Sequence, residues 1–88
     1  MHFEYDENKS RANLAKHAID LVEAQLIWQY SKRLEVRLIT ERNETRYQII
    51  ARIDDLIWTA IFTYRAEAIR IISVRRARKK EVMLYENS

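Results

Sequence analysis

The first third of the chain carries apolar residues at helical spacing, after a short alternating start. Residues 3–5 alternate between apolar and acidic and can form a short edge strand. Asp6 can cap a helix over residues 7–17, whose apolar face is expected to include Leu14. A second helix is expected over residues 20–30, with a buried stripe made of Leu21, Ala24, Ile27 and Trp28.

From Leu34 onward the apolar period changes to two, which is the period of strands with one buried face. The expected strands cover residues 34–38, 47–53, 56–64 and 68–74. The third of them is apolar on both faces, so we expect it at the centre of the sheet. Residues 41–44 suit a hairpin loop, and a last helix is expected over residues 76–85.

These elements predict an α+β fold in a single domain of residues 1–88: two N-terminal helices, a mainly antiparallel sheet of about four strands and a C-terminal helix. No apolar run is long enough to span a bilayer, and the acidic N-terminus is unlike a signal peptide. Without cysteine there is no disulfide framework. We therefore expect a cytoplasmic protein that makes no membrane contact.

Charge is distributed unevenly along the chain. The net charge is +3, but residues 65–80 hold seven basic residues against one acid. A basic end on a near-neutral body is the electrostatic signature of a phosphate-binding surface. A solvated helix face gives the same pattern, so charge alone does not decide between the two.

The composition leaves few kinds of catalytic site. Phosphate-binding loops need glycine, which is absent. The two histidines are isolated, so no metal or other cofactor is expected. Metal-free RNA cleavage needs only a base, an acid and cations around the phosphate. His17 can serve as acid or base, and Arg70 interrupts an apolar strand and must find a partner. The structural alternatives are a buried His17 and a salt bridge from Arg70 to Glu44 or Glu81.

Two stretches of the chain carry a family resemblance. The first contains Phe3, Tyr5, Asp6, Lys9, Asn13, Lys16 and His17. The second runs from Thr63-Tyr64-Arg65 through Arg70-Ile71-Ile72-Ser73-Val74-Arg75-Arg76-Ala77 to Glu81 and Tyr85. With Arg46 between them, these residues resemble the BrnT family of bacterial type II toxins over nearly the whole chain.

The resemblance implies a compact fold similar to that of RelE-type ribonuclease toxins and RNA cleavage that blocks translation. It also implies a BrnA-like antitoxin, in a heterotetramer with the toxin, although a toxin homodimer is the other expected assembly. We expect the antitoxin to present acidic residues and an apolar helix, which match the charge of residues 65–80 and exposed side chains such as those of Trp28 or Trp58.

The residues and the resemblance together give a candidate site. The expected catalytic residues are His17, Arg46, Arg70, Arg75, Arg76 and Tyr85. The expected RNA-binding residues are Lys9, Lys16, Arg65, Arg78 and Lys79. Arg70, Arg75 and Arg76 are expected to reach one common anion, near Tyr85 and His17. The alternatives are a non-catalytic nucleic-acid-binding module that uses the same basic surface, and a protein whose basic face only meets an acidic partner.

The chain departs from the family pattern in having no glycine and no proline. The family usually has glycine at the positions held here by Ala18, Ala51, Asp55 and Ala66. Glycine permits positive φ or close packing, so turn strain of about 1 kcal/mol per site is expected. The hypothesis is an engineered glycine- and proline-free version of a natural toxin, or an unusual natural relative, with weakened activity.

Overall fold

The computed structural model describes residues 2–38 and 43–88 and contains five strands in one sheet. The strands are β1 (His2–Glu4), β2 (Arg33–Arg37), β3 (Tyr47–Ile53), β4 (Leu56–Arg65) and β5 (Ala68–Arg76). Their order is β1-β5-β4-β3-β2, which confirms the central position of the strand with two apolar faces. Residues 41 and 42 of the expected hairpin loop lie outside the described residues, but β2 and β3 are antiparallel neighbours.

The prediction of four antiparallel strands is wrong in one respect, because the short N-terminal strand joins the sheet as a fifth strand. β1 pairs in parallel with β5, with His2 opposite Ala68 and Glu4 opposite Arg70. The other neighbouring strands are antiparallel. A parallel pair between the two ends of the chain leaves no local turn signal, so alternation in residues 3–5 alone could not reveal it.

Two helical segments precede β2, and one helix follows β5. The first helix, α1, spans Glu7–His17, and the Asp6 side chain caps it by accepting from the Lys9 N–H at 3.1 Å. The second segment, Glu23–Gln29, is a 3₁₀ helix, so the helix expected over residues 20–30 is present but is shorter and more tightly wound than an α-helix. The 3₁₀ form follows from the spacing of the buried residues, which lie three positions apart in the sequence. A 3₁₀ helix has three residues per turn and therefore places them on one side. The residues at that spacing are fully buried: Leu21, Ala24 and Ile27.

The last helix, α2, spans Lys79–Glu86 and begins three residues later than expected. Arg75 and Arg76 still pair with Thr59 and Trp58 of β4, so they belong to β5. The Ala77 N–H also donates to the Ile57 carbonyl at 2.9 Å, which continues the ladder beyond the strand. None of the helices in the described ranges has the length and apolar character needed to cross a membrane.

The core lies between one face of the sheet and the N-terminal helical segments. Its fully buried side chains include Ile19, Leu21, Ile27, Ile49, Phe62, Ile71 and Val74. Trp28 makes edge contacts with Phe3 and Phe62, each with ring centroids 5.2 Å apart. Both tryptophans are buried, so the expectation of exposed Trp28 and Trp58 side chains for an antitoxin is wrong.

Helix α1 joins this core through polar residues. Its buried residues are Ser10 and Asn13, whereas Leu14, expected on the inner face, is 49% exposed. The Asn13 amide donates to the Ile19 and Val74 carbonyls at 2.7 and 2.8 Å and accepts from the Val74 N–H at 3.1 Å. Ser10 accepts from the Leu21 N–H at 2.9 Å. Hydrogen bonds to backbone therefore fix this helix, and an apolar periodicity could not predict its orientation.

Two of the four positions at which the resemblance implies glycine adopt a left-handed backbone. Ala18 ends α1 with φ of 63°, and Ala66 lies in the β4–β5 turn with φ of 50°. At the β3–β4 turn the positive φ falls on Asp54 and not on Asp55. Ala51 lies fully buried within β3. The strain expectation therefore holds for Ala18 and Ala66, and the other two positions need another explanation.

Candidate active site

The two faces of the sheet differ in composition, and the cross-strand register assigns each side chain to one of them. One face packs against the N-terminal helical segments and carries rows of core residues such as Ile49, Ala60 and Val74. On the opposite face, Arg70 lies beside Thr63. We call this second surface the basic face and define it by its arginines: Arg46, Arg52, Arg65, Arg70 and Arg75.

A β-bulge in β5 brings Arg70 and Arg75 to the same face. Residues five apart in a regular strand point to opposite faces. Here Phe62 pairs with Ile71 and Ile61 pairs with Ser73, so Ile72 is an extra residue and the alternation changes. Arg70 and Arg75 lie beside Thr63 and Thr59, four residues apart on β4. Their backbones are therefore about 13 Å apart along the sheet face.

Arg75 is held by Glu81 of α2. Its two terminal nitrogens donate to the two carboxylate oxygens at 2.8 and 2.9 Å, a bidentate charge-assisted pair. The Gln48 side chain and the Arg78 backbone N–H donate to the same carboxylate. Burial by itself raises the pKa of Glu81, but hydrogen bonds from Arg75, Arg78 and Gln48 outweigh it and hold the pKa below its usual value.

The pair between Arg75 and Glu81 remains within reach of solvent. The two side chains are 22% and 12% exposed. Thr59, in the same row as Arg75, is fully buried, and its hydroxyl has no hydrogen-bond partner within residues 2–38 and 43–88. A phosphate that replaced the Glu81 carboxylate would meet the same fork of arginine N–H groups, because guanidinium binds both anions with two parallel bonds.

Arg70 pairs with Glu4 of β1 at 3.9 Å and not with Glu44 or Glu81, the two partners considered from the sequence. Glu44 instead lies 3.3 Å from Arg46 and 3.8 Å from Arg65. The Arg70 side chain is about one-third exposed. A surface pair of this kind contributes only about 0–1 kcal/mol, so Arg70 remains available to an anion.

An open cleft of about 410 Å³ lies beside Arg65, at the end of β4. It is lined by Asn43, Glu44, Thr45, Tyr47, Thr63, Tyr64 and Arg65. Tyr64 donates to the Glu35 carboxylate at 3.0 Å. Burial and this bond raise the pKa of Tyr64 to about 12. Tyr64 therefore stays protonated at neutral pH and does not act as a base.

Arg76 lies on the core face, opposite to Arg75. It pairs with Trp58, and its guanidinium carbon is 5.7 Å from the centroid of the Trp58 ring. Strand alternation sends neighbouring side chains to opposite faces. The expectation that Arg70, Arg75 and Arg76 bind one common anion is therefore wrong.

His17 lies at the same end of the molecule as Arg76. Helix α1 runs along β5 in the same direction. At its start, the pKa of Asp6 is lowered mainly by the Lys9 N–H and also by the charge of Arg70 in β5. Farther along the helix, Asn13 binds Val74 of the same strand. His17 is one helical turn beyond Asn13, about 6 Å along the axis, which brings it level with Arg76. The imidazole is partly exposed, so the alternative of a fully buried His17 does not hold.

Tyr85 is the buried residue of α2, and its hydroxyl is occupied by a backbone carbonyl. Its hydroxyl donates to the Lys32 carbonyl at 3.1 Å, and the Lys32 ammonium lies 4.8 Å from the centre of its ring. Only 4% of the residue is exposed. In this arrangement Tyr85 anchors α2 to the start of β2.

The remaining expected RNA-binding residues are all exposed. Lys9 and Lys16 lie on α1, beside the outer edge of β5, whereas Arg78 and Lys79 lie at the start of α2.

Three residues of the site were not expected from the sequence in these roles: Gln48, Thr59 and Glu81. Gln48 alternates with Arg46 and Arg52, and this polar row was the available signal. Thr59 lies inside an apolar strand, and the sequence contained no signal for its role.

No group of three or more histidine, aspartate or glutamate side chains in the described ranges is placed to hold a metal ion. The candidate site therefore combines an arginine-rich sheet face with a bidentate arginine–carboxylate pair, in a protein with an α+β fold. The family model described as "Ribonuclease toxin, BrnT, of type II toxin-antitoxin system" matches residues 5–81.

The chain therefore belongs to the BrnT toxin family. This membership confirms the resemblance found in the sequence and makes the chain a ribonuclease toxin, with RNA as its substrate and an antitoxin as its partner. No curated protein sequence is similar enough to be counted as a relative.

Proposed function

We propose that this toxin cleaves RNA on the basic face without a metal ion and thereby blocks translation. A BrnA-like antitoxin would neutralise it. The observation that carries this proposal is the pair between Arg75 and Glu81, which places a phosphate-binding fork beside a carboxylate on an otherwise cationic surface.

The chemistry needs no group from outside the chain. The 2′-hydroxyl attacks the adjacent phosphorus, its proton goes to a base, and the 5′-oxygen leaves with a proton from an acid. The products carry a 2′,3′-cyclic phosphate and a 5′-hydroxyl. Arg75 would donate to the two non-bridging oxygens, whose negative charge grows in the transition state. Arg46, Arg65 and Arg70 would hold the flanking backbone.

Glu81 is the best-placed base on this face. While it binds Arg75, hydrogen bonds keep its pKa low, which makes it a weak base. When a phosphate takes the two N–H groups of Arg75, the effect of burial, which raises the pKa, remains. The carboxylate would then become a stronger base when the substrate is bound.

His17 and Arg76 form the competing site at the end of β5. In this version His17 moves the protons and Arg76 binds the phosphate. Tyr85 would act in either version by positioning α2, because its hydroxyl faces the Lys32 carbonyl.

Variants of Arg75 and Arg76, which are neighbours in the sequence but lie on opposite faces of the sheet, distinguish the two proposed sites. Purified R75A, R76A and H17A variants are incubated with end-labelled RNA in a chelator, and product ends are identified. We expect R75A to lower the cleavage rate at least about 100-fold, the effect of losing one transition-state donor. R76A and H17A should retain most activity. Loss in R76A and H17A, with activity kept in R75A, would move the site to the end of β5.

The same assay tests the class of protein. Cleavage that persists in the chelator supports a metal-independent nuclease, whereas cleavage that requires added magnesium contradicts it. RNA binding that weakens with salt, without any cleavage, would indicate a non-catalytic nucleic-acid-binding module. The double variant R75A/R76A should abolish cleavage but weaken antitoxin binding much less, because apolar burial would supply most of that affinity.

A further inference from the structure

The free edge of the sheet lies at β2. Among the described residues, β2 pairs only with β3. Leu38 and Arg46 are opposite each other, and the Leu38 N–H donates to the Arg46 carbonyl at 2.9 Å. Hydrogen-bonded and non-bonded pairs alternate in an antiparallel ladder. The backbone groups of Leu34 and Val36 therefore face β3, and those of Arg33, Glu35 and Arg37 face outward.

An apolar groove runs next to this edge, between β2 and α2. Its volume is about 660 Å³, and its lining consists of Leu34, Lys80, Met83, Leu84, Asn87 and Ser88. Met83 and Leu84 are each 55% exposed. Exposed apolar side chains grouped beside an open strand edge are typical of a surface that another chain covers.

The charges around the groove are mostly basic. Lys80 lies in its lining, and Lys32 lies over the Tyr85 ring at the start of β2. On the other side of the edge, Arg33 and Arg37 project from the core face, opposite Ala51 and Tyr47. Glu35, between them, is occupied by the Tyr64 hydroxyl. The edge therefore offers positive charge on one side and apolar surface on the other.

We propose that the antitoxin adds an extended segment to β2, with alternating apolar and acidic side chains. Its apolar residues would enter the groove against Leu34, Met83 and Leu84, and its acidic residues would face Arg33 and Arg37. Main-chain hydrogen bonds would go to the outward groups of Arg33, Glu35 and Arg37, as in other complexes that extend a sheet. This inference rests on the membership in a toxin–antitoxin family, but not on where RNA is cleaved.

A second copy of the toxin fits this edge less well. In an antiparallel pair of two β2 strands centred on Glu35, each Arg33 would lie opposite the partner's Arg37, and like charges directly opposite destabilise a sheet. RNA is also disfavoured, because the groove surface is mainly apolar. An acidic, partly apolar segment matches both sides of the edge.

The test is a calorimetric titration of toxin variants with the antitoxin of the same toxin–antitoxin pair. We expect M83K/L84K to weaken binding at least about 30-fold, as the loss of a central interface anchor does. The matched control is L14K, which places lysine on an equally exposed leucine of α1 and should leave affinity unchanged. Thermal unfolding shows whether each variant is folded, and RNA cleavage by M83K/L84K should equal that of the unchanged protein.

Amide hydrogen exchange of the complex tests the strand itself. The amides of Arg33, Glu35 and Arg37 should exchange rapidly in the free toxin and become protected when the antitoxin binds. Affinity lost in L14K but kept in M83K/L84K, or no protection at the three amides, would overturn the proposal. If wild-type toxin fails to cleave RNA yet shows this protection, only the proposed function fails.

Discussion

At the level of single residues, Asn13 shows how a polar side chain can determine the position of a helix. Its side chain makes three hydrogen bonds to the backbone of Ile19 and Val74 while it is nearly inaccessible to solvent. Val74 belongs to β5, beyond the part of that strand that β1 covers. Asn13 therefore satisfies a strand edge that would otherwise lie buried without partners.

Replacing Asn13 by alanine should lower the free energy of unfolding by about 3 kcal/mol, because three buried backbone groups lose their partners. Urea unfolding followed by circular dichroism measures this. The control is N8A, on the exposed side of the same helix, which should change stability by less than about 0.5 kcal/mol. N13D should be at least as harmful as N13A, because its carboxylate faces two carbonyl oxygens. An N13A variant as stable as N8A would contradict this account.

Two alanines with positive φ account for part of the backbone strain that the absence of glycine predicts. Ala18 and Ala66 adopt a conformation that costs a residue with a Cβ about 1–2 kcal/mol. The sequence pointed to both positions through the family pattern. It could not separate them from Ala51, because a fully buried alanine in a strand and a left-handed alanine in a turn look the same in a sequence.

Introducing glycine at position 18 should therefore raise the free energy of unfolding by about 1 kcal/mol, since it relieves the left-handed conformation. A12G, in the middle of the same helix, provides the matched control and should lower stability by about 1 kcal/mol. Chemical unfolding of both variants gives the comparison. Equal losses in the two variants would show that Ala18 is not strained.

At the level of elements, period and turn signals predicted β2 to β5 and α1 nearly to the residue. They did not predict the bulge at Ile72, because an extra residue changes no local propensity. This bulge determines that Arg70 and Arg75 share a face. The end of β5 was also placed too early, because the arginines that continue it do not belong to the apolar alternation.

Helix α2 is held to the sheet by Glu81, so stability should depend on pH through this residue. Its folded-state pKa lies below the unfolded value of 4.5. The ionised carboxylate therefore stabilises the fold above that pH, and the contribution is lost as the pH falls through the folded-state pKa.

We expect E81Q to be less stable than the unchanged protein at neutral pH and to lose less stability on acidification below 4.5. The measurement is the free energy of unfolding as a function of pH. E86Q, an exposed position on the same helix, is the control and should keep the full acid dependence. If E81Q and the unchanged protein follow parallel curves, Glu81 does not couple α2 to pH.

For the whole molecule, one sheet face carries the five arginines of the basic face, whereas the other carries the apolar core together with Arg76. The sequence predicted the cationic residues as a group, but it could not assign them to faces. Two neighbours, Arg75 and Arg76, separate across the sheet, whereas Arg46 and Arg65 meet through Glu44. The register of the strands, which is a long-range property, decides both outcomes.

If RNA binds the basic face, its affinity should depend on salt through the arginines of that face. Binding of an uncleavable 2′-O-methyl RNA, measured by fluorescence anisotropy, should weaken with increasing salt. R70A should reduce the slope of log affinity against log salt by about 0.7, the value for one lost contact to a single-stranded phosphate. R11A, on the exposed side of α1, should leave the slope unchanged. Identical slopes for R70A and the unchanged protein would remove Arg70 from the RNA-binding surface.

The parallel pair between β1 and β5 also has a consequence for synthesis of the toxin. β1 is synthesised before the other strands of the described sheet and pairs with β5, which is synthesised after them. Asn13 of α1 likewise binds Val74 of β5. Contacts so distant in sequence form late and slowly. The sheet therefore cannot be completed before β5 has been synthesised. Arg70 and Arg75 also belong to β5, so the proposed RNA-cleaving site is completed only by the last strand of the sheet to be synthesised.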